Sequence, residues 1–295
     1  MTTSTKRRCW LALVAASSLL TLGLTSCGSE KPQAKTPSSP ASSSTPTSVE
    51  IEDNHGTYTI KLPPQSVVAT DNRLFQTLAD WNVELAAAPV DLISADNPYK
   101  TNPNIVNLGA HREPNLEALV AVNPDLVING QRFASFYEDI KTLVPEATVI
   151  ELDPREDQPF DQELKRQVEI LGQIFNRQTE AKKLVDDFDA SIARVKKSYQ
   201  PEVKVMALIT SGGEINYSAP GSGRTLGPVF EILGLTPAIE VDGSSDHQGD
   251  DISVEAIAQS NPGLILVMDR DAAVGQGSEG EPYTPANQLI ANSQA

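Results

Sequence analysis

The chain has 295 residues, with 39 acidic against 23 basic side chains and a formal net charge of −16 at pH 7. That balance speaks against nucleic acid as a partner, because a polyanion needs a basic face. With only two cysteines, Cys9 and Cys27, both near the start, the body has no thiol for a disulfide, for Cys catalysis or for a thiolate metal site.

Lys6, Arg7 and Arg8 give the start of the chain a positive charge, and an apolar run follows from Cys9 to Leu24. The run is short for a membrane span and carries two serines. It closes on Leu24-Thr25-Ser26-Cys27, which resembles the lipobox of bacterial lipoproteins. The resemblance implies a signal peptide over 1–26, lipidation of Cys27 as the new N-terminus, and a body anchored on the extracytoplasmic face of the cell membrane. Residues 27–49 are mostly Ser, Thr, Pro, Ala and Lys, which cannot bury a core, so a disordered tether is expected.

The folded body begins near residue 50. Val49–Glu52 and Thr57–Ile60 flank Asn54-His55-Gly56 and read as a β-hairpin, with Gly56 supplying positive φ and His55 in solvent. Gln65–Thr70 is a short strand, followed by Asp71-Asn72-Arg73 and a helix through Trp81. Asn72 and Arg73 thus fall at a strand's carboxyl end, where ligands of α/β folds bind; a helix cap and a surface Arg are the plainer alternative. Residues 82–93 read as a further βα element and 94–106 as a loop. His111 falls in the loop before the next helix. Arg132 precedes Phe133-Ala134-Ser135-Phe136-Tyr137, and a guanidinium beside aromatics such as Tyr137 suits a planar or anionic ligand; pairing with Glu138 or Asp139 is the alternative. Residues 147–151 form a strand and 160–175 an amphipathic helix.

From Arg177 to Tyr199, apolar residues recur at Ala181, Leu184, Val185, Phe188, Ile192, Val195 and Tyr199. This spacing predicts one long helix, capped by Asn176 and stopped before Pro201. Beyond it, 203–210 is a strand, 211–214 a turn and 215–217 the return strand. Ala219-Pro220-Gly221-Ser222-Gly223-Arg224 is a Gly-rich loop before a helix at 226–233, a place where an anion can be cradled, with Arg224 improving it. His247 lies in the polar loop 242–251, either solvated or in contact with a ligand or metal.

Residues 115–132 and 253–270 align without a gap at an offset of 138. Glu117 matches Glu255, Asn123-Pro124 matches Asn261-Pro262, and Arg132 matches Arg270. Each copy reads as helix, Asn-Pro turn, buried strand and terminal Arg. The expected fold is therefore α/β, with two similar lobes of mostly parallel sheet (50–175 and 201–295) joined by one helix over 176–200.

The lipobox, Glu113-Pro114-Asn115-Leu116-Glu117, Asn123-Pro124-Asp125-Leu126-Val127-Ile128, Gly221-Ser222-Gly223-Arg224 and Asp269-Arg270 together resemble the iron–siderophore-binding lipoproteins of bacterial ABC importers. These are class III periplasmic binding proteins, with a rigid helix between lobes and a ligand cleft between them. The resemblance implies a monomeric receptor with no intrinsic cofactor, which hands a ferric siderophore to a permease and its ATPase. Arg132, Arg224 and Arg270 stand where catecholate-type members place three arginines against the ferric complex. His247 matches a His that coordinates iron in some members. Glu117 and Glu255 match the acidic residues that dock on the permease, although a helix first-turn Glu explains them as well. Members continue past the point matched by Ala295, so the second lobe is read as incomplete. Haem, cobalamin or another iron chelate is the alternative ligand. No Ser-His-Asp order, Gly-x-Ser-x-Gly elbow or His-Glu-x-x-His helix favours an enzyme.

Overall fold

The computed structural model describes residues 46–274 and 283–292; the signal sequence, Cys27 and nearly all of the expected tether lie outside them. The first element described is a hairpin, β1 (Ser48–Glu52) and β2 (Thr57–Lys61), turning at Gly56 as the sequence predicts. The first sheet follows, in the order β5-β4-β3-β6-β7 and parallel throughout. Its strands are β3 (Val67–Ala69), β4 (Ala87–Ala88), β5 (Val106–Asn107), β6 (Leu126–Asn129) and β7 (Thr148–Glu151). Connecting them are α1 (Phe75–Asp80), α2 (Leu116–Ala121) and α3 (Tyr137–Leu143).

β3 and β6 are buried along their whole length, as expected for parallel strands covered on both faces. Alternate residues feed opposite cores. Val67, Ala69, Leu126 and Ile128 pack with Phe75 and Leu78 of α1, Ile51 and Ile60 of the hairpin, and Ile170, Leu171 and Ile174 of α4 (Phe160–Ile174). Val68 and Val127 pack on the other face with Leu119 of α2 and Ile140 of α3. β4 leads into a single 3-10 turn, Val90–Leu92, where an α-helix was expected.

The second sheet, in the order β10-β9-β8-β11, is mixed: β8 (Val205–Ser211) and β11 (Leu264–Asp269) are parallel, whereas β9 (Glu214–Tyr217) and β10 (Asp250–Asp251) run antiparallel to their neighbours. Its helices are α6 (Gly227–Leu233), α7 (Val254–Ser260), α8 (Arg270–Val274) and α9 (Ala286–Asn292). The internal repeat is physical. Val67 pairs with Leu126 in the first sheet and Val205 with Leu264 in the second, the same register 138 residues on. Asn115 caps α2 by accepting from the Ala118 N–H at 3.0 Å, and Ser253 caps α7 by accepting from the Ala256 N–H at 3.1 Å. Asn123 and Asn261 both take φ 46°, so each Asn-Pro turn is built on a left-handed Asn. The copies part at their ends. β11 runs to Asp269 and Arg270 opens α8 at once, whereas β6 stops at Asn129 and Arg132 follows in a 3-10 turn, Gln131–Phe136.

The long helix α5 (Gln178–Ser198) has 21 residues, about 32 Å. Its start differs from expectation. Asn176 has φ 54° and ends α4 in a left-handed conformation; Arg177 is the N-cap, without a side-chain bond. Its apolar stripe is only partly covered. Ala181 alone on this helix is buried, while Leu184 and Val195 are 42% and 39% exposed. α5 lies against α4 through a close approach at Gly172, where a Cβ would come within 2.6 Å of the Ala181 Cβ. Lys165 of α4 reaches Asp189 of α5 at 2.9 Å, and α6 contacts both helices.

Candidate functional site

At the carboxyl ends of β3, β6 and β7 the chain builds a polar layer instead of a hydrophobic one. Thr70 and Asn129, both fully buried, face each other across the strand pair, the Thr70 hydroxyl donating to Asn129 Oδ1 at 2.8 Å. Asn129 Nδ2 donates to the Phe133 carbonyl at 3.1 Å and to Glu151 Oε2 at 3.3 Å. Glu151 takes the Asp53 carboxylate on its N–H at 2.8 Å. Burial and the neighbouring Asp153 raise the Glu151 pKa, against the pull of Asn129 and His55.

Arg73, a ligand candidate from the sequence, is committed to this layer. Its guanidinium meets Asp71 at 2.6 Å and also pairs with Asp153, 80 residues on. Burial disfavours its charge, but the two carboxylates outweigh that and raise its pKa. Asp153 also accepts from the Gln131 N–H at 3.0 Å, so the pair pins the turn carrying Arg132. Gly130, just before that turn, is required there: a Cβ would lie 2.4 Å from Asp153 Oδ1 and 3.0 Å from Asp71 Oδ2, and φ is 154°.

Tyr137 leaves the ligand set for a different reason. It is only 4% exposed, its ring stacks on His55 at 3.8 Å, and its hydroxyl lies 3.2 Å from that of Tyr58. Its place as the first residue of α3 turns the ring toward the hairpin and away from solvent. His55, on the hairpin tip, is exposed as expected and is also 3.8 Å from Glu151.

Arg132 is exposed at the end of β6. It does not pair with Glu138 or Asp139: no ion pair or hydrogen bond of its side chain occurs among the described residues. Its electrostatic neighbour is instead His111, whose pKa is lowered by burial and then by Arg132 and Arg112. Sequence reading passed over His111 and Arg112 because nothing local marks the loop after β5 as leaning toward β6. Asn72 follows β3 and is half-buried.

In the second sheet, Arg270 leaves the end of β11 and donates to Ser211 Oγ, at the end of β8, at 2.9 Å. Asp269 and Asp271 hold the surrounding backbone. Asp269 accepts from the Ala272 and Ala286 N–H groups at 3.0 and 2.9 Å; Asp271 accepts from Gly212 and Gly213 at 2.8 and 3.0 Å. Arg224 is exposed in the loop before α6. In that loop the N–H groups of Gly221, Ser222, Gly223 and Gly227 are taken by backbone carbonyls at 2.8–3.0 Å, so these four do not face outward for an anion. His247 is exposed, 3.8 Å from Asp246. No hydrogen bond or ion pair among the described residues joins Arg132, Arg224 and Arg270 to one another. Glu117 and Glu255 lie exposed in the first turns of α2 and α7, one on each copy of the repeat.

Two α/β halves of one repeat pattern, with a long helix packed between their cores and cationic side chains at the strand ends, define a two-lobed solute receptor. The chain belongs to the periplasmic binding protein family Peripla_BP_2, matched over residues 67–288. Its fold is that of the class III members, and it is an extracytoplasmic binding protein, not an enzyme. It is 34% identical over 245 residues to the ferric-anguibactin-binding protein FatB of Vibrio anguillarum, spanning 82% of this chain and 74% of that one. The siderophore-binding protein BauB, solved with two acinetobactin molecules and ferric iron, superposes with a TM-score of 0.69 at 25% identity, covering 83% and 85% of the two chains. The periplasmic catecholate-siderophore-binding protein VctP of Vibrio cholerae superposes with a TM-score of 0.68, also at 25% identity, covering 83% and 87%.

Proposed function

We propose that this chain captures a ferric siderophore of catecholate or mixed catecholate type and delivers it to an ABC importer. The observation that carries the reading is that Arg132 and Arg224 stand exposed without a carboxylate partner among the described residues, in a chain with 39 acidic side chains against 23 basic ones. Surplus acid would ordinarily claim such cations, so leaving them free reserves them for an outside anion. A ferric tris-catecholate bears three negative charges, which Arg132, Arg224 and Arg270 neutralise while their flat guanidinium groups lie against the catechol rings. FatB, BauB and VctP, each described as a ferric or siderophore binder, support the ligand class. The iron arrives already chelated, with His247 able to add a nitrogen ligand where the chelator leaves a position open. Glu117 and Glu255 serve as docking points for basic side chains of the permease. Lipidation of Cys27 holds the monomer at the membrane.

The test is ferric-chelate titration followed by quenching of tryptophan fluorescence, with wild type and Arg132→Ala, Arg224→Ala and Arg270→Ala. Each substitution is expected to weaken binding of an anionic ferric catecholate by about 10- to 100-fold, the worth of one charge-assisted contact. A neutral ferric hydroxamate changes little. Unchanged catecholate affinity in all three variants would sink the site assignment.

A further inference from the structure

Among the described residues, four buried side-chain polar atoms find no hydrogen-bond partner: Asn72 Oδ1, His111 Nδ1, Gln131 Oε1 and Ser218 Oγ. Three of them sit just past carboxyl ends of the same sheet, after β3, β5 and β6. Such atoms are rare in folded proteins, because a buried polar group left unpaired is costly. Three at one edge of one sheet mark a place where hydrogen-bonding groups are held ready.

The three lie along one edge of that sheet. Arg132, beside Gln131, and Arg112 both act on His111, so the loop after β5 reaches toward the turn after β6. The sheet order places β3, and Asn72 with it, between those two strands. Arg112 and Arg132 are exposed there, and neither has an ion pair among the described residues. Burial and the two guanidinium groups favour a neutral His111. Nδ1 of a neutral imidazole accepts or donates according to tautomer, and a carboxamide presents either oxygen or NH2 on rotation. The set therefore suits a partner that both donates and accepts.

We propose that Asn72, His111 and Gln131 form a hydrogen-bonding subsite that, with Arg112 and Arg132, selects an anionic ferric chelate carrying amide groups beside its metal-binding oxygens. This rests on the siderophore reading given above and narrows it. The arginines take the oxyanion charge; the carboxamides and the imidazole pair with the amide N–H and C=O of the chelator backbone. Ferric citrate, all carboxylate and hydroxyl, satisfies the arginines but brings no amide, so the buried groups stay stranded. A site built to hydrogen-bond a group discriminates strongly against an analogue without it.

The experiment compares an amide-linked ferric tris-catecholate with ferric citrate by fluorescence quenching, on wild type, Arg132→Ala and the double variant Asn72→Leu/Gln131→Met, with thermal melts alongside. The double variant is expected to melt no lower than wild type, since it deletes unpaired polar atoms. Its affinity for the amide-linked chelate falls by about tenfold or more, while that for ferric citrate changes less than about threefold. His111→Phe, on a loop, carries the same expectation should the double variant not fold. If Arg132→Ala weakens chelate binding while the subsite variants do not, the orphaned atoms are satisfied by internal water and this inference alone falls. If wild type binds neither chelate, the siderophore reading falls and takes the inference with it.

Discussion

Gly130→Ala separates backbone strain from a designed collision. An alanine at φ 154° is strained by about 1–3 kcal/mol at either Gly130 or its control, Gly56, where φ is 149°. At Gly56 nothing lies within 4 Å of the added methyl group, whereas at Gly130 it meets Asp153 Oδ1 at 2.4 Å and Asp71 Oδ2 at 3.0 Å. Asp153 must then move off Arg73 and off the Gln131 N–H. Breaking a fully buried ion pair costs about 3–5 kcal/mol, but the Asp153 side chain is 25% exposed and can swing into water, so about 2 kcal/mol is the expected excess. For a body of this size that is about 4–8 °C in Tm beyond the Gly56→Ala change. Urea unfolding followed by fluorescence of Trp81, buried in the first lobe's core, measures it. Because the displaced turn carries Arg132, chelate affinity falls in Gly130→Ala and not in Gly56→Ala. Equal losses of stability in the two variants would refute the steric argument.

Other perturbations follow from the same contacts. Glu163, its side chain nearly buried, is penalised by burial yet held at a pKa of about 2 by Arg155 and Arg166, so the stability it contributes is present above the ordinary carboxylate pKa and is lost as pH falls toward 2. Glu163→Gln should cost roughly 1–2 kcal/mol at pH 7, after allowing for the part-exposed Arg155, with the difference from wild type closing below about pH 3 in a Tm–pH series. Ser211→Ala removes the hydrogen bond that orients Arg270 among the described residues; ferric catecholate affinity should fall about two- to fivefold with little change in Tm. Lys165→Ala, at the α4–α5 contact, should cost less than about 1 kcal/mol and less still in high salt, because Asp189 is half exposed.

What the sequence made legible was local. The Asn-Pro punctuation at 123–124 and 261–262, the paired glutamates Glu117 and Glu255 and the matched apolar positions reveal the repeat, since each depends on neighbours within a few positions. Arg73 and Tyr137 were misread because their partners are distant: Asp153 lies 80 residues from Arg73 and Tyr58 lies 79 from Tyr137. Asn176 has the side chain of a good N-cap, but the tight α4–α5 junction takes it as a left-handed stop instead. The two-residue strand β5 carries too little pattern to register at the end of the segment read as a loop, and the loop that follows it brings His111 into place by tertiary packing alone.

The unequal ends of the two repeat copies bear on how a guest sits. In the second half β11 runs two residues past the position that matches the end of β6, and β8 four residues past the match of the end of β3, about 7 and 13 Å. Arg270 is thus thrust forward on a rigid rail, while Arg132 rides a bent shelf pinned by an aspartate. The two copies of the repeat are therefore not interchangeable jaws, and a cargo turned end for end would meet a different grip.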